Sequence, residues 1–231
     1  MRVPSVSCLF YIFASEVSPA RRLRRGEYRL EAPDSGALLP VFPLEPLLLE
    51  VAIWELIHQG QARIEFKDTA TSGWMSTRIH RIIASRQRAY ISRHPGGIGP
   101  PSGSLAESLL LLIPPEGASV TVAVIDWAGG RSPLPLSAVF SVAQAEATKN
   151  GVLSTDSSTS EPPVRETRTV IPSLACDSLR LEELRPIFEE AWEAWEDFWK
   201  TRGSDAFGIQ RDVREALRAL RPIVQPTTLG G

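Results

Sequence analysis

The sequence predicts an α+β fold, and three observations in one stretch carry that expectation. Residues 44–58 are apolar nearly all round a helix, Gly60 follows almost at once, and residues 61–67 then alternate apolar and charged side chains. A helix apolar over most of its surface is buried by neighbours on several sides, whereas strict alternation marks a half-buried strand. Helix, glycine and short strand is the order in which a winged-helix unit leaves its third helix for its wing. The same residues also suit any α+β domain in which a helix precedes an edge strand. The architecture read from them is one of winged-helix-like helical units with short hairpins, plus a C-terminal helical extension.

Within the organising segment, Leu47, Leu48, Leu49, Val51, Ile53, Trp54, Leu56 and Ile57 cover most of the circumference, and Glu45, Glu50, Glu55 and His58 are its few polar positions. Pro46 suits a first helical turn, where its missing N–H is not needed. Gly60 suits the left-handed residue after the end. His58 in the last turn favours the helix dipole. In the strand, Ala62, Ile64 and Phe66 share one face, and Arg63, Glu65 and Lys67 the other.

Residues 1–37 read as a basic N-terminal arm with at most one short strand. Arg21, Arg22, Arg24 and Arg25 form a knot of charge, and the apolar run at residues 8–14 is about half the length of a signal-peptide core and far short of a membrane span. Residues 38–153 form the expected winged-helix-like domain. Between residues 63 and 93 lie seven Arg or Lys against Glu65 and Asp68. Residues 77–88 are assigned to a short helix and 89–93 to a returning strand, a basic wing that could lie on a phosphate backbone or simply be a solvated hairpin. Trp74 reads as a hydrophobic plug or a binding residue. The glycines at 96, 97, 99 and 103 lack the Lys and spacing of a phosphate loop, and mark a turn.

Beyond that turn, Ser104 and Glu107 match a capping box and open a short buried helix over residues 105–113, ended by Pro114 and Pro115. Residues 119–127 are rich in β-branched side chains and read as a strand, with a helix of a second winged unit as the alternative. A helix capped by Ser137 presents Val139, Phe140, Ala143 and Ala147 and closes at Asn150-Gly151, after which Val152 and Leu153 resume as strand. Gln59-Gly60 and Asn150-Gly151 are therefore similar endings, which suggests tandem halves. Residues 154–172 are a Ser/Thr/Pro-rich linker or loop.

A Trp-rich helical extension occupies residues 173–223. It begins near Asp177, with Pro186 expected in a first helical turn and Gly203 at the stop. Phe188, Trp192, Trp195 and Trp199 recur at helical spacing as one aromatic stripe, opposite Glu189, Glu190, Glu193, Glu196 and Asp197. Each indole can bury on the order of 200 Å², so the stripe must be covered, either by the rest of the chain or by a partner. Val213, Ala216, Leu217 and Leu220 mark one further short helix.

The order of elements over residues 38–153 resembles the Golgi phosphoprotein 3-like family. The resemblance is carried by Glu55-Leu56-Ile57-His58-Gln59-Gly60, the strand with Ile64, Gly103-Ser104-Leu105-Ala106-Glu107-Ser108-Leu109, and Asn150-Gly151-Val152-Leu153. It implies a helical, winged-helix-like scaffold. In that family a Trp and several Arg grip a phosphoinositide head group, but the corresponding stretches, 44–51 and 137–149, contain no Arg. No lipid-binding residue carries over.

Composition and motifs narrow the function. A formal charge of −2 and a hydrophobic content of 43% describe a globular chain whose net charge favours no polyanionic partner. Cys8 and Cys176 lack metal-ligand spacing, so a reducing, cytoplasmic setting is expected, with no metal and no cofactor. His58, His80 and His94 are scattered, and no HExxH or GxSxG arrangement occurs. The expectation is a non-catalytic interaction or regulatory module without a small-molecule substrate, binding a protein partner through Phe188, Trp192, Trp195 and Trp199. Two alternatives use basic residues: a winged-helix nucleic-acid-binding regulator contacting phosphates through Arg78, Arg81, Arg86 and Arg88, and a peripheral adaptor on an acidic membrane surface through the same arginines and the Arg21–Arg25 knot.

Overall fold

The computed structural model describes residues 3–18, 28–68, 87–96, 99–129, 135–153, 170, 171, 174 and 176–220. Along these the elements run α1 (Val6–Ile12), α2 (Ala14–Val17), β1 (Arg29–Glu31), β2 (Leu38–Pro40), α3 (Val41–His58), β3 (Ala62–Asp68), β4 (Gln87–Arg93), α4 (Leu105–Leu110), β5 (Ala118–Ser119), α5 (Val120–Gly129), α6 (Pro135–Lys149), β6 (Val170–Ile171), α7 (Ser178–Thr201) and α8 (Gly203–Leu220). The fold is α+β. Two small sheets flank the helices: β1 pairs antiparallel with β2 and parallel with β6, and β4 pairs antiparallel with both β3 and β5.

Helix α3 is the hub, packing against α1, α4, α6, α8 and β3. Its first turn lies earlier than the sequence suggests, so Pro46 sits inside the helix. A proline there removes one backbone hydrogen bond at a cost of about 3 kcal/mol. Leu44, Leu48 and Leu49 around it are fully buried; at about 1.5–3 kcal/mol each, their burial outweighs that loss. Gly60 closes the helix at φ +68°, with Gly60 N–H donating to Ile57 O and Gln61 N–H to Leu56 O, and β3 comes directly after. In β3 Ala62 is buried and Ile64 and Phe66 half-buried, while Arg63, Glu65 and Lys67 are exposed, so the alternation is as expected.

Helix α6 ends in the same way. Gly151 has φ +69°, and Val152 N–H donates to Ala147 O. The chain just beyond this turn departs from the expectation, because Leu153 makes a single bridge to Cys176 instead of a strand. Helix α6 also starts at Pro135, ahead of Ser137. In the proposed helix at 77–88, residues 77–86 lie outside the described residues, as does Trp74. Gln87 and Arg88 already belong to β4.

Three further readings are corrected. Residues within the supposed arm form α1 and α2, and Cys8, Leu9, Phe10, Tyr11, Ile12, Phe13 and Ala14 are all buried. An apolar run too short for a membrane is long enough for two turns of enclosed helix. Residues 120–129 are helical rather than extended, with Val120, Ala123, Val124, Trp127 and Ala128 buried at spacings of three and four. Burial of that face overrides β-propensity, and Trp127 is anchored by donating to Ser108 Oγ at 2.8 Å. In the extension, α7 starts at Ser178, capped by Asp177, so Pro186 falls mid-helix, and Gly203 opens α8 instead of only ending α7.

Helix α8 ties the C-terminus to the hairpin. Asp212, fully buried, accepts hydrogen bonds from Ala89 N–H of β4 at 2.8 Å and from Arg211 Nε at 2.9 Å. Gly208 lets β3 close on the helix: a Cβ there would stand 2.2 Å from Phe66 Cε1. Gly208→Ala should therefore cost about 1–3 kcal/mol in urea unfolding, by forcing the ring and strand apart. Gly203→Ala, whose Cβ would have no atom within 4 Å, serves as control and should change stability by less than about 0.5 kcal/mol. Equal effects at the two positions would refute this packing.

Candidate functional site

The aromatic stripe of α7 lands on α1 and α3. Phe188 stacks on Phe13 with centroids 4.5 Å apart, Phe10 meets Trp192 at 5.4 Å, and Trp195 meets Trp54 of α3 edge-on at 5.6 Å. The buried face of the helix is Leu184, Phe188, Trp195 and Phe198. Helical geometry explains the difference from the stripe read in the sequence. At about 100° per residue, Phe198 lies about 80° from Phe188 on one side and Trp192 about 40° on the other. The face that docks is thus rotated towards Phe198, a residue the stripe omitted, and Trp192 and Trp199 are left at its margin. Phe188 and Trp195 are 4% and 5% exposed, whereas Trp192 and Trp199 are only half-buried.

Two open hollows share Trp192. One, of about 290 Å³, is lined by Glu16, Phe188, Glu189, Trp192 and Glu193. The other, of about 370 Å³, is lined by Trp192, Trp195, Glu196, Trp199 and Lys200. The rim is acidic. Arg185 pairs with Glu16 at 2.9 Å and Lys200 with Glu196 at 3.2 Å, while among the described residues Glu189 and Glu193 make no ion pair.

The basic site is only partly within view. Arg78, Arg81 and Arg86 lie outside the described residues, as do Arg21, Arg22, Arg24 and Arg25. Arg88 is described, and two carboxylates hold it: Glu215 takes Nη1 at 2.5 Å and Nη2 at 2.9 Å, with Asp212 at 3.5 Å from Nη1. A bidentate pair of this kind fixes the guanidinium. Arg88 thus clamps the hairpin to α8 and does not face outward as a free phosphate contact.

Compared with known protein families, curated proteins and solved structures, the chain matches none. The site must be read from its own chemistry. Among the described residues no group of three or more His, Cys, Asp or Glu could hold a metal, and no helix is long and apolar enough to cross a membrane.

The titratable groups the sequence did not single out are buried carboxylates. Glu146 of α6 accepts from Ser5 N–H and Ser5 Oγ, both at 2.7 Å, while Glu55 of α3 accepts from Gln59 Nε2 at 3.2 Å and lies near the Val6 and Ser7 amides. Glu146 thereby holds the first turn of α1. Glu50, also on α3, meets Gln210 Nε2 of α8 at 3.3 Å and Arg214 Nε at 3.7 Å. Burial pushes Glu50 and Glu55 up to about 7, against the pull of their hydrogen bonds, and the nearby Glu146 carboxylate raises Glu55 further. Burial also raises both thiols, Cys8 well above its ordinary value and Cys176 to about 11, so neither is an activated nucleophile.

These carboxylates set the pH dependence of stability. A carboxyl whose pKa is higher folded than unfolded binds more protons in the native state, so stability falls as pH rises from its unfolded value through its folded one. For Glu50 and Glu55 that window runs from 4.5 to about 7, and each contributes up to about 3 kcal/mol across it. Burial raises Glu146 as well, so the thermal midpoint should be highest near pH 5 and fall towards pH 8, with Glu55→Gln flattening the slope without abolishing it. A midpoint that rises over this range would contradict the assignment.

Proposed function

We propose that this protein is a non-catalytic, cytoplasmic interaction or regulatory module that binds a protein partner through the outer margin of α7. One observation carries the reading: Trp192 and Trp199 remain partly exposed beside open hollows although Phe188 and Trp195, on the same helix, are buried. Tryptophan is enriched among the residues that dominate binding energy, where an apolar ring fills a pocket on the other side. The non-catalytic part rests on the roles of the polar groups, since Glu146 holds α1, Asp212 holds β4, and both cysteines are free thiols held above their usual range. Free thiols also suit a reducing compartment.

The nucleic-acid reading depends on arginines of which Arg88 is engaged by Glu215 and Asp212, and the acidic-membrane reading must contend with the carboxylates on α7. Both are weaker for those reasons.

The test is a partner recovered in stoichiometric amount by the full chain, purified, and then titrated directly against it. Trp192→Ala/Trp199→Ala should weaken that binding by at least about thirtyfold while the circular dichroism and thermal midpoint stay close to the parent. Undiminished binding by the double variant, or salt-sensitive retention on duplex DNA as the sole interaction, would overturn the proposal.

A further inference from the structure

We infer that the α7 face accepts a basic amphipathic helix of a partner protein, an assignment that rests on the interaction-module reading and goes beyond it. The rim supplies the argument. Among the described residues, Glu189 and Glu193 line the first hollow beside Phe188 and Trp192 without an ion pair within 4 Å, Glu189 and Glu16 share the field of Arg185, and Lys200 meets Glu196, so four carboxylates face two cations. Glu190 and Asp197 on the same helix are exposed as well. An apolar floor with surplus negative charge attracts a ligand that is apolar on one side and cationic at its edges, and repels acidic lipid and nucleic acid by the same field.

The dimensions fit a helix. From Phe188 to Trp199 the floor runs about 16 Å along α7, the length of about three helical turns. Leucine-like side chains at one-turn spacing would enter the hollows on either side of Trp192. Lys or Arg flanking them would reach Glu189 and Glu193, with their aliphatic stems lying over the partly exposed indoles of Trp192 and Trp199. The partner's chemistry is therefore set at two levels: apolar anchors give affinity, and flanking cations give selectivity.

The experiment uses three synthetic 14-residue amphipathic peptides with the same leucine positions, carrying Lys, Gln or Glu elsewhere, titrated against the full chain by calorimetry at low and moderate salt. The Leu/Lys peptide should bind, the Leu/Gln peptide at least tenfold more weakly, and the Leu/Glu peptide not at all. Glu189→Lys/Glu193→Lys should lower affinity for the Leu/Lys peptide at least tenfold. Glu116→Lys/Asp126→Lys, which changes the net charge equally at exposed sites elsewhere, should stay within twofold. Glu189→Gln/Glu193→Gln gives the same direction with less perturbation of the helix, and the thermal midpoint of each variant confirms that it is folded. Equal binding of the Leu/Gln and Leu/Lys peptides, or equal losses in the two charge-reversal variants, would overturn the assignment of a basic ligand while leaving the interaction module intact. Insensitivity of all peptide binding to Trp192→Ala/Trp199→Ala would remove both. A concentration-dependent dimer abolished by Trp192→Ala would assign the face to a second copy. Many-fold tighter peptide binding on changing Arg21, Arg22, Arg24 and Arg25 to Ser would assign it to the chain's own arginines. Either result would overturn the proposal of a separate partner.

Discussion

The enclosure of α3 is the constraint on which the other elements depend. A helix with no continuous polar face cannot rest on a surface, because any side left open would expose several large apolar groups. Here α1, α4, α6, α8 and β3 cover it. Its few carboxylates are drawn inside with it: Glu55 lies near the amides that open α1 and accepts from Gln59, and Glu50 attaches to Gln210 and Arg214 of α8. Burying a carboxyl is costly, which is why both are held near pH 7.

That hub also sets the position of α7. Trp54 of α3, Phe10 of α1 and Phe13 just after it form an aromatic floor, and α7 lies on it through Phe188 and Trp195. Ring pairs prefer edge-on or offset contacts, so seating Trp195 against both Trp54 and Phe10 fixes the rotation of the helix. Once that rotation is fixed, Trp192 and Trp199 lie at the margin. Phe188 and Trp195 are covered by the same chain, and Trp192 and Trp199 stay partly exposed.

The parts legible in sequence were those with strong local signals. The glycine-terminated helix and its alternating strand, the cap at Ser104, and the acidic, aromatic α7 all rest on contacts between residues near one another. Glu107 N–H does donate to Ser104 Oγ at 3.0 Å, although the Glu107 carboxylate reaches back to Gly103 N–H. The failures have the opposite character. Residues 120–129 carry a helical spacing in Val120, Ala123, Val124, Trp127 and Ala128, but β-branched composition masked it, and burial against α8 decides the matter. Helix α1 looked like an arm because its carboxylate partner, Glu146, lies far along the chain. Arg88 looked like a free cation because Glu215 is distant in sequence. No local pattern encodes such pairings. The site was half legible: the stripe was visible, whereas which of its rings would stay outside depended on Phe198 and on the floor supplied by α1.

The claim that α3 and α1 seat α7 with two indoles outward is tested most directly by solvent exposure of the individual tryptophans. With 5-fluorotryptophan incorporated and each resonance assigned by substitution, a soluble paramagnetic probe should broaden the ¹⁹F signals of Trp192 and Trp199 and leave those of Trp54, Trp127 and Trp195 sharp. Broadening of Trp54 or Trp195, or protection of all three indoles of α7, would contradict it.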